Sequence, residues 1–240
     1  MNKILIAVFL AAGFFFTPQA QAASFDDMLK GVRIPAGLSR DESTTVSGLK
    51  EALSVGTDRA VKSVSKTDGY FKDQAIKILM PEKIQKAADV LKLAGYSKEV
   101  DDFVLSMNRA AEKAAPEATA IFVDAIKQMS FDDAGKILKG GNTAATEYFK
   151  TKTSGPLFEK FKPIVSSSMN EVGVTRSYKA MTEKYASAAP FMKMESLDLD
   201  RYVTDKALAG LFFKLGQEEK AIRTDPAART TELLRKVFAQ

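Results

Sequence analysis

Apolar residues along this chain recur at intervals of three, four and seven, the spacing that gathers them on one face of an α-helix. Val46, Leu49, Leu53, Ala60 and Val64 form the first such stripe, behind the cap candidates Ser43, Thr44 and Thr45. Pro81 opens a second helix with Ile84, Ala88 and Leu91 inward, and Gly95 closes it as the residue after the C-cap. Ser97 caps a third, which carries Val100, Phe103, Val104, Met107, Ala111 and Ala114 on one side. Pro116 interrupts that pattern before it resumes through Ile121, Phe122, Ala125 and Met129, as at a kink or a tight helix–helix joint.

Ser130 followed by Asp133 resembles a capping box, opening a short helix with Ile137 and Leu138 that ends at Gly140-Gly141. Asn142 then caps a helix through Tyr148 and Phe149, and Ser154-Gly155-Pro156 starts another with Leu157, Phe161, Ile164, Val165 and Met169 inward. Gly173 ends it, Thr175 begins one reaching about Ala189, and a long helix runs from about Leu199 to Arg223. Asp225-Pro226 caps a last helix containing Leu233, Leu234, Val237 and Phe238. There is no strand-like alternation and no low-complexity linker, and the loops read as short. The expected fold is all-α, a compact multi-helix bundle of about eight to ten helices. Residues 23–240 are expected to form a single all-helical domain.

The N-terminus follows a different pattern. Met1-Asn2-Lys3 precedes an uncharged run from Ile4 to Phe16, Thr17-Pro18 breaks it, and Ala20-Gln21-Ala22 places small residues where signal peptidase reads them. This is the layout of a secretory signal peptide over residues 1–22. As a transmembrane anchor the run is short, since a hydrocarbon core needs about 20 apolar residues. The chain has no Cys, so lipoprotein processing is excluded. The expected location is the periplasm, with no transmembrane segment after signal removal.

Composition narrows the chemistry. The chain has no His, no Cys and no Trp. That excludes Ser-His-Asp and Cys-His nucleophile systems, imidazole and thiolate metal sites, iron–sulfur clusters and disulfides. Loss of the leader, which holds one Lys and no acid, lowers the formal net charge from +5 to +4. Spread over interspersed Lys and Glu, that is a solvated surface and not a nucleic-acid stripe. Export also removes nucleic acid, ATP and nicotinamide cofactors from the expected partners; no cofactor and no metal is assigned.

The polar positions of interest lie beside helix seams. At 100° per residue, Asp101, Asn108 and Glu112 fall within about 40° of one another, flanking the apolar face of the third helix. With Arg109 they form either an inter-helix hydrogen-bond network or a partly buried carboxylate site for a cation or an amine. Glu219 precedes Arg223 by four residues, the favourable order for a helical ion pair, and either locks the last helix or shares a pocket with Glu112. Asp132 and Asp133 lack the oxygen spacing of a calcium loop, and Gly140-Gly141-Asn142-Thr143 lacks the Lys of a phosphate loop. Phe191, Met192 and Met194 place large apolar side chains in a connection, as a lid or partner-docking loop, or as a cover for the bundle end.

Several separated motifs carry a family resemblance. Gly48-Leu49-Lys50-Glu51-Ala52-Leu53, Met107-Asn108-Arg109-Ala110-Ala111-Glu112 and Ala144-Ala145-Thr146-Glu147-Tyr148-Phe149 resemble the bacterial domain-of-unknown-function family 4197. So do Tyr202-Val203-Thr204, Gly210-Leu211-Phe212, Glu218-Glu219, Ile222-Arg223 and Leu233 to Phe238. The resemblance covers about Phe25 to Phe238. It implies an exported helical protein of Gram-negative bacteria, some members being lipoproteins, from which this chain departs by lacking the Cys. It supplies no reaction, and implies that Asn108, Arg109, Glu112, Glu219 and Arg223 belong to one arrangement.

Three functions compete. A non-catalytic module binding a small ligand or an envelope protein comes first, motivated by the seam-flanking polar residues and the Phe191–Met194 loop. An envelope scaffold without a ligand is the alternative. A hydrolase or lyase using Asp101, Glu112 or Glu219 as general acid/base is the third, and the missing His and nucleophile motif argue against an enzyme.

Overall fold

The computed structural model describes residues 40–171, 174–188, 198–232 and 235, whose regular structure is all helical, with no strand among them. In chain order the helices are α1 (Arg40–Ser65), α2 (Glu82–Leu93), α3 (Ser97–Ala114), α4 (Ala118–Gln128), α5 (Phe131–Lys139), α6 (Ala144–Glu171), α7 (Val174–Ala188) and α8 (Leu199–Thr224). A 3₁₀ turn, Ala115–Glu117, joins α3 to α4 at Pro116, and another, Pro226–Ala228, follows α8. The signal-peptide segment, the Phe191–Met194 loop and Leu233, Leu234, Val237 and Phe238 of the expected last helix lie outside the described residues. No described helix is long and apolar enough to cross a membrane.

Helices α3, α6 and α8 pack on one another at the centre, with α1 and α4 on one side and α2 and α7 on the other. The periodic apolar positions are the ones that meet there. Leu49, Val64, Ile84, Leu91, Phe103, Met107, Phe122, Phe149, Leu157, Phe161 and Leu211 are all but inaccessible to solvent. Phe122 of α4 meets Phe149 of α6 edge-on at 5.1 Å and Phe212 of α8 at 6.2 Å, tying three helices through one ring.

Local end signals act as expected at two places. After α2 the chain reverses on Gly95 at φ +87°, with Gly95 N–H on Lys92 O at 3.1 Å and Tyr96 N–H on Leu91 O at 2.8 Å. That is a Schellman closure, which only a residue without Cβ adopts freely. At α5 the Ser130 hydroxyl accepts from Asp133 N–H at 3.1 Å while the Asp133 carboxylate accepts from Ser130 N–H, also at 3.1 Å.

Four expectations need correction. Helix α1 begins at Arg40, so Ser43 to Thr45 lie within it; Ser47 Oγ donates to the Ser43 carbonyl at 2.8 Å. The cap of α3 is Tyr96 rather than Ser97. Residues 142–171, read as two helices meeting at Pro156, hold one continuous helix with Pro156 and Pro163 inside it. An interior proline costs about 3 kcal/mol, whereas each large apolar side chain buried contributes roughly 1.5–3 kcal/mol. Leu157, Phe161, Val165 and Met169 are all buried beyond the break, so packing outweighs the local penalty.

The fourth correction concerns connections. Residues 66–81 form a long irregular segment between α1 and α2 that runs through the structure rather than over it. Tyr70 and Ile78 are fully buried, and Ile76 and Met80 nearly so. A buried stretch without helix or sheet leaves backbone donors and acceptors that something else must satisfy.

Candidate functional site

The polar residues of α3 satisfy that segment. The side chain of Asn108, wholly inaccessible to solvent, accepts from Ile78 N–H at 2.9 Å and donates to Ile78 O at 2.8 Å, with a further bond to Val104 O. One turn on, Glu112 Oε1 accepts from Tyr70 N–H at 3.1 Å and Phe71 N–H at 3.2 Å. Its other oxygen receives Arg109 Nη1 at 2.6 Å, and Arg109 Nη2 reaches Asp68 Oδ1, also at 2.6 Å. Asp68 pairs in turn with Lys72 at 2.7 Å. Its own backbone is in the left-handed region at φ 66°, an unusual conformation for a residue with a side chain. The Lys72 ammonium, then the Arg109 guanidinium, hold its carboxyl below the usual aspartate range.

Helix α8 holds the other side of the segment. Tyr70 donates its hydroxyl to Ala207 O at 2.7 Å, and burial, reinforced by the nearby Glu112 charge, pushes that phenol well above its ordinary pKa. Tyr202 reaches Leu79 O at 3.0 Å, and Lys214 pairs with Asp73 at 2.5 Å. Gly210 provides the close approach: a Cβ there would sit 2.7 Å from the Tyr70 ring and 3.1 Å from Ile76 Cβ.

Glu219 and Arg223 are employed elsewhere. Glu219 accepts from the N–H groups of Ala145 and Thr146 at 2.9 and 2.8 Å and from the Thr146 hydroxyl at 2.8 Å. It therefore caps α6 from another helix, the role expected of Asn142, which is exposed. Arg223 donates to Glu219 Oε1 from Nε and Nη2 at 3.0 and 2.9 Å, and from Nη2 to Ile137 O at the end of α5. A carboxylate at a helix start and a guanidinium at a helix end both complement the helix dipole.

The six candidates are thus divided among three places. Asn108, Arg109 and Glu112 hold residues 68–78; Glu219 and Arg223 join α8 to α5 and α6; Asp101 is 70 % exposed, with Lys92 at 3.6 Å. Asp101 does share the helix face of Asn108 and Glu112, but the buried segment reaches only the later turns of α3. A small cavity of about 20 Å³, room for one water, touches Glu219 and Arg223 among apolar neighbours; Glu112 does not line it. Phe191, Met192 and Met194 lie outside the described residues.

A larger recess lies between α4 and α6. It encloses about 310 Å³ and is lined by Ile121, Asp124, Ala125 and Gln128 of α4 and by Tyr148, Lys152, Thr153 and Pro156 of α6. Tyr148 closes its floor by donating to Ala125 O at 2.9 Å. Asp124, Gln128 and Lys152 escaped the sequence reading because each sits singly among ordinary surface positions, and Ile121, Ala125, Tyr148 and Pro156 read as helix positions only. Asp68, missed too, had a signal in the turn-forming pair Asp68-Gly69. Among the described residues no group of three or more acids is placed to hold a metal ion.

The fold and these contacts define an all-helical bundle in which Asn108, Glu112 and Glu219 are turned inward, onto its own backbone. The chain belongs to the family described as protein of unknown function (DUF4197), whose model matches residues 39–239. No curated protein and no solved structure matches it.

Proposed function

We propose that this is an exported, periplasmic, non-catalytic binding module that takes a small ligand into the recess between α4 and α6. The observation that carries the reading is the recess itself: its volume of about 310 Å³ is that of a small-molecule pocket, and apolar and polar groups converge on it. The export part rests on the leader pattern of residues 1–22. Against a carboxylate-dependent hydrolase or lyase stands the commitment of Glu112 and Glu219 to backbone amides and arginines, which occupies both carboxylates with internal partners.

The test is a screen of the purified mature chain against envelope metabolites by thermal shift, followed by amide NMR. A ligand that raises the melting temperature and moves the resonances of Ile121, Ala125 and Tyr148 supports the reading. Silence across the screen overturns it and favours the second reading, an envelope scaffold. That alternative draws on the complete internal pairing of Asn108, Glu112 and Glu219. Osmotic-shock release with an N-terminus at Ala23 tests the location; retention in the cytoplasm sinks it.

A further inference from the structure

Resting on that reading, we infer that the α4–α6 recess is built for a small zwitterion, a free amino acid or a compound of that type carrying an ammonium and a carboxylate on a short apolar body. The two helices present matched stripes. On α4, Ile121, Asp124, Ala125 and Gln128 follow the spacing that puts four residues on one face, and on α6 so do Tyr148, Lys152 and Pro156. Opposite charges therefore stand on opposite walls, Asp124 on one and Lys152 on the other.

Those charges close no internal ion pair, although Lys152 also acts at longer range on the Asp133 carboxylate. Among the described residues Asp124, Gln128 and Lys152 make no ion pair and no side-chain hydrogen bond, and Asp124 and Lys152 do not close on each other. The recess also carries acceptors beyond the Asp124 carboxylate. Pro156 brings no amide hydrogen to the carbonyl of Lys152, four residues earlier, so that oxygen lacks its ordinary helical donor. Tyr148 has already given its hydrogen to Ala125 O, so its oxygen meets a ligand as an acceptor.

An ammonium has three hydrogens and no lone pair, and the recess offers it the Asp124 carboxylate from α4 and the Lys152 carbonyl and Tyr148 oxygen from α6. A carboxylate only accepts, and the recess offers it the Lys152 ammonium from α6 and the Gln128 amide from α4. Ile121, Ala125 and the Pro156 ring supply the apolar contact for the ligand's body. Charge-assisted hydrogen bonds at both ends make recognition depend on both charges together.

Calorimetry on the mature protein with L-leucine, L-leucinamide and N-acetyl-L-leucine reads each end separately, with amide NMR to locate binding. L-Leucine is expected to bind and to move Ile121 and Ala125, and each blocked analogue to bind at least tenfold more weakly. Asp124→Asn and Lys152→Gln change exposed residues that make no internal hydrogen bond or ion pair among the described residues. Each is expected to keep the wild-type melting temperature and to weaken L-leucine by at least tenfold. Equal binding of leucinamide or of the acetyl derivative overturns the zwitterion. So does a different compound from the metabolite screen moving Ile121 and Ala125 when leucine moves nothing, an outcome that leaves the binding module standing. If no compound of either set binds, both fall.

Discussion

Asn108 and Ile78, thirty residues apart, are paired as two strand residues would be: the side-chain amide of one exchanges two hydrogen bonds with the backbone of the other, at 2.9 and 2.8 Å. A helix side chain thus supplies the ladder that residues 66–81 have no neighbouring strand to provide. Replacing Asn108 by Ala leaves a buried N–H and a buried carbonyl without partners. At about 1–3 kcal/mol for each group left unsatisfied, Asn108→Ala should cost roughly 2–6 kcal/mol in urea unfolding. A loss below about 0.5 kcal/mol would show that the pairing contributes nothing.

Glu112 separates charge from shape. Glu112→Gln keeps one oxygen for the amides of Tyr70 and Phe71 but turns a donor toward Arg109, while Glu112→Ala removes every acceptor. The Ala variant should lose about 3–5 kcal/mol, as when a buried ion pair is broken from one side, and the Gln variant less. Hydrogen exchange at Tyr70 and Phe71 should accelerate in Ala far more than in Gln. Equal exchange in the two variants would contradict the contact.

Whether the two polar clusters act separately is measurable. Arg109 shares no stated partner with Glu219, so the costs of Arg109→Ala and Glu219→Ala should add within about 0.5 kcal/mol. Glu219→Ala with Arg223→Ala should instead be non-additive by about 0.5–3 kcal/mol, because the two touch. Strong coupling between Arg109 and Glu219 would restore a single arrangement.

Gly210→Ala tests the close approach of α8 to the buried segment. The added Cβ meets the Tyr70 ring, which cannot swing away while its hydroxyl is tied to Ala207 O. Overpacking of this kind costs about 1–3 kcal/mol. An unchanged melting temperature in Gly210→Ala would mean that the ring is free to move.

Acid sensitivity follows from carboxyls held below their ordinary range, Glu171 beside Lys113 and three aspartates. Asp68 is held down by Lys72 and Arg109, Asp73 by Lys214, and Asp133 by the Ser130 hydroxyl. A depressed carboxyl adds stability that is complete above the unfolded value and is lost as pH falls through the folded one. With no His in the chain, the urea midpoint should be nearly flat from about pH 5.5 to 8 and should fall below about pH 4. Asp68→Asn should flatten part of that fall; an identical acid profile would remove Asp68 from the account.

Legibility in the sequence tracked the distance over which a contact acts. The inward faces of α1, α3 and α8, the glycine closure at Gly95 and the Ser130–Asp133 box rest on partners within a few residues, so periodicity and residue type determined them. The same patterning placed Asn108, Glu112 and Glu219 beside the apolar seams, where a polar group must find a partner or remain at a cost. Which partner was beyond its reach. Asn108 meets Ile78 across thirty positions, Glu112 meets Tyr70 across forty-two, and Glu219 meets Ala145 across seventy-four. A propensity rule sees Pro156 as a helix start, because the burial of Leu157 and Phe161 that overrides it is supplied by other helices. The recess is of the same kind: Asp124 and Lys152 are ordinary surface residues until α4 and α6 are laid side by side. The sequence alone determined the helical class, the apolar faces and the seam positions of Asn108, Glu112 and Glu219. Only tertiary structure decided what those neighbours hold and where space is left, since both depend on segments brought together by packing.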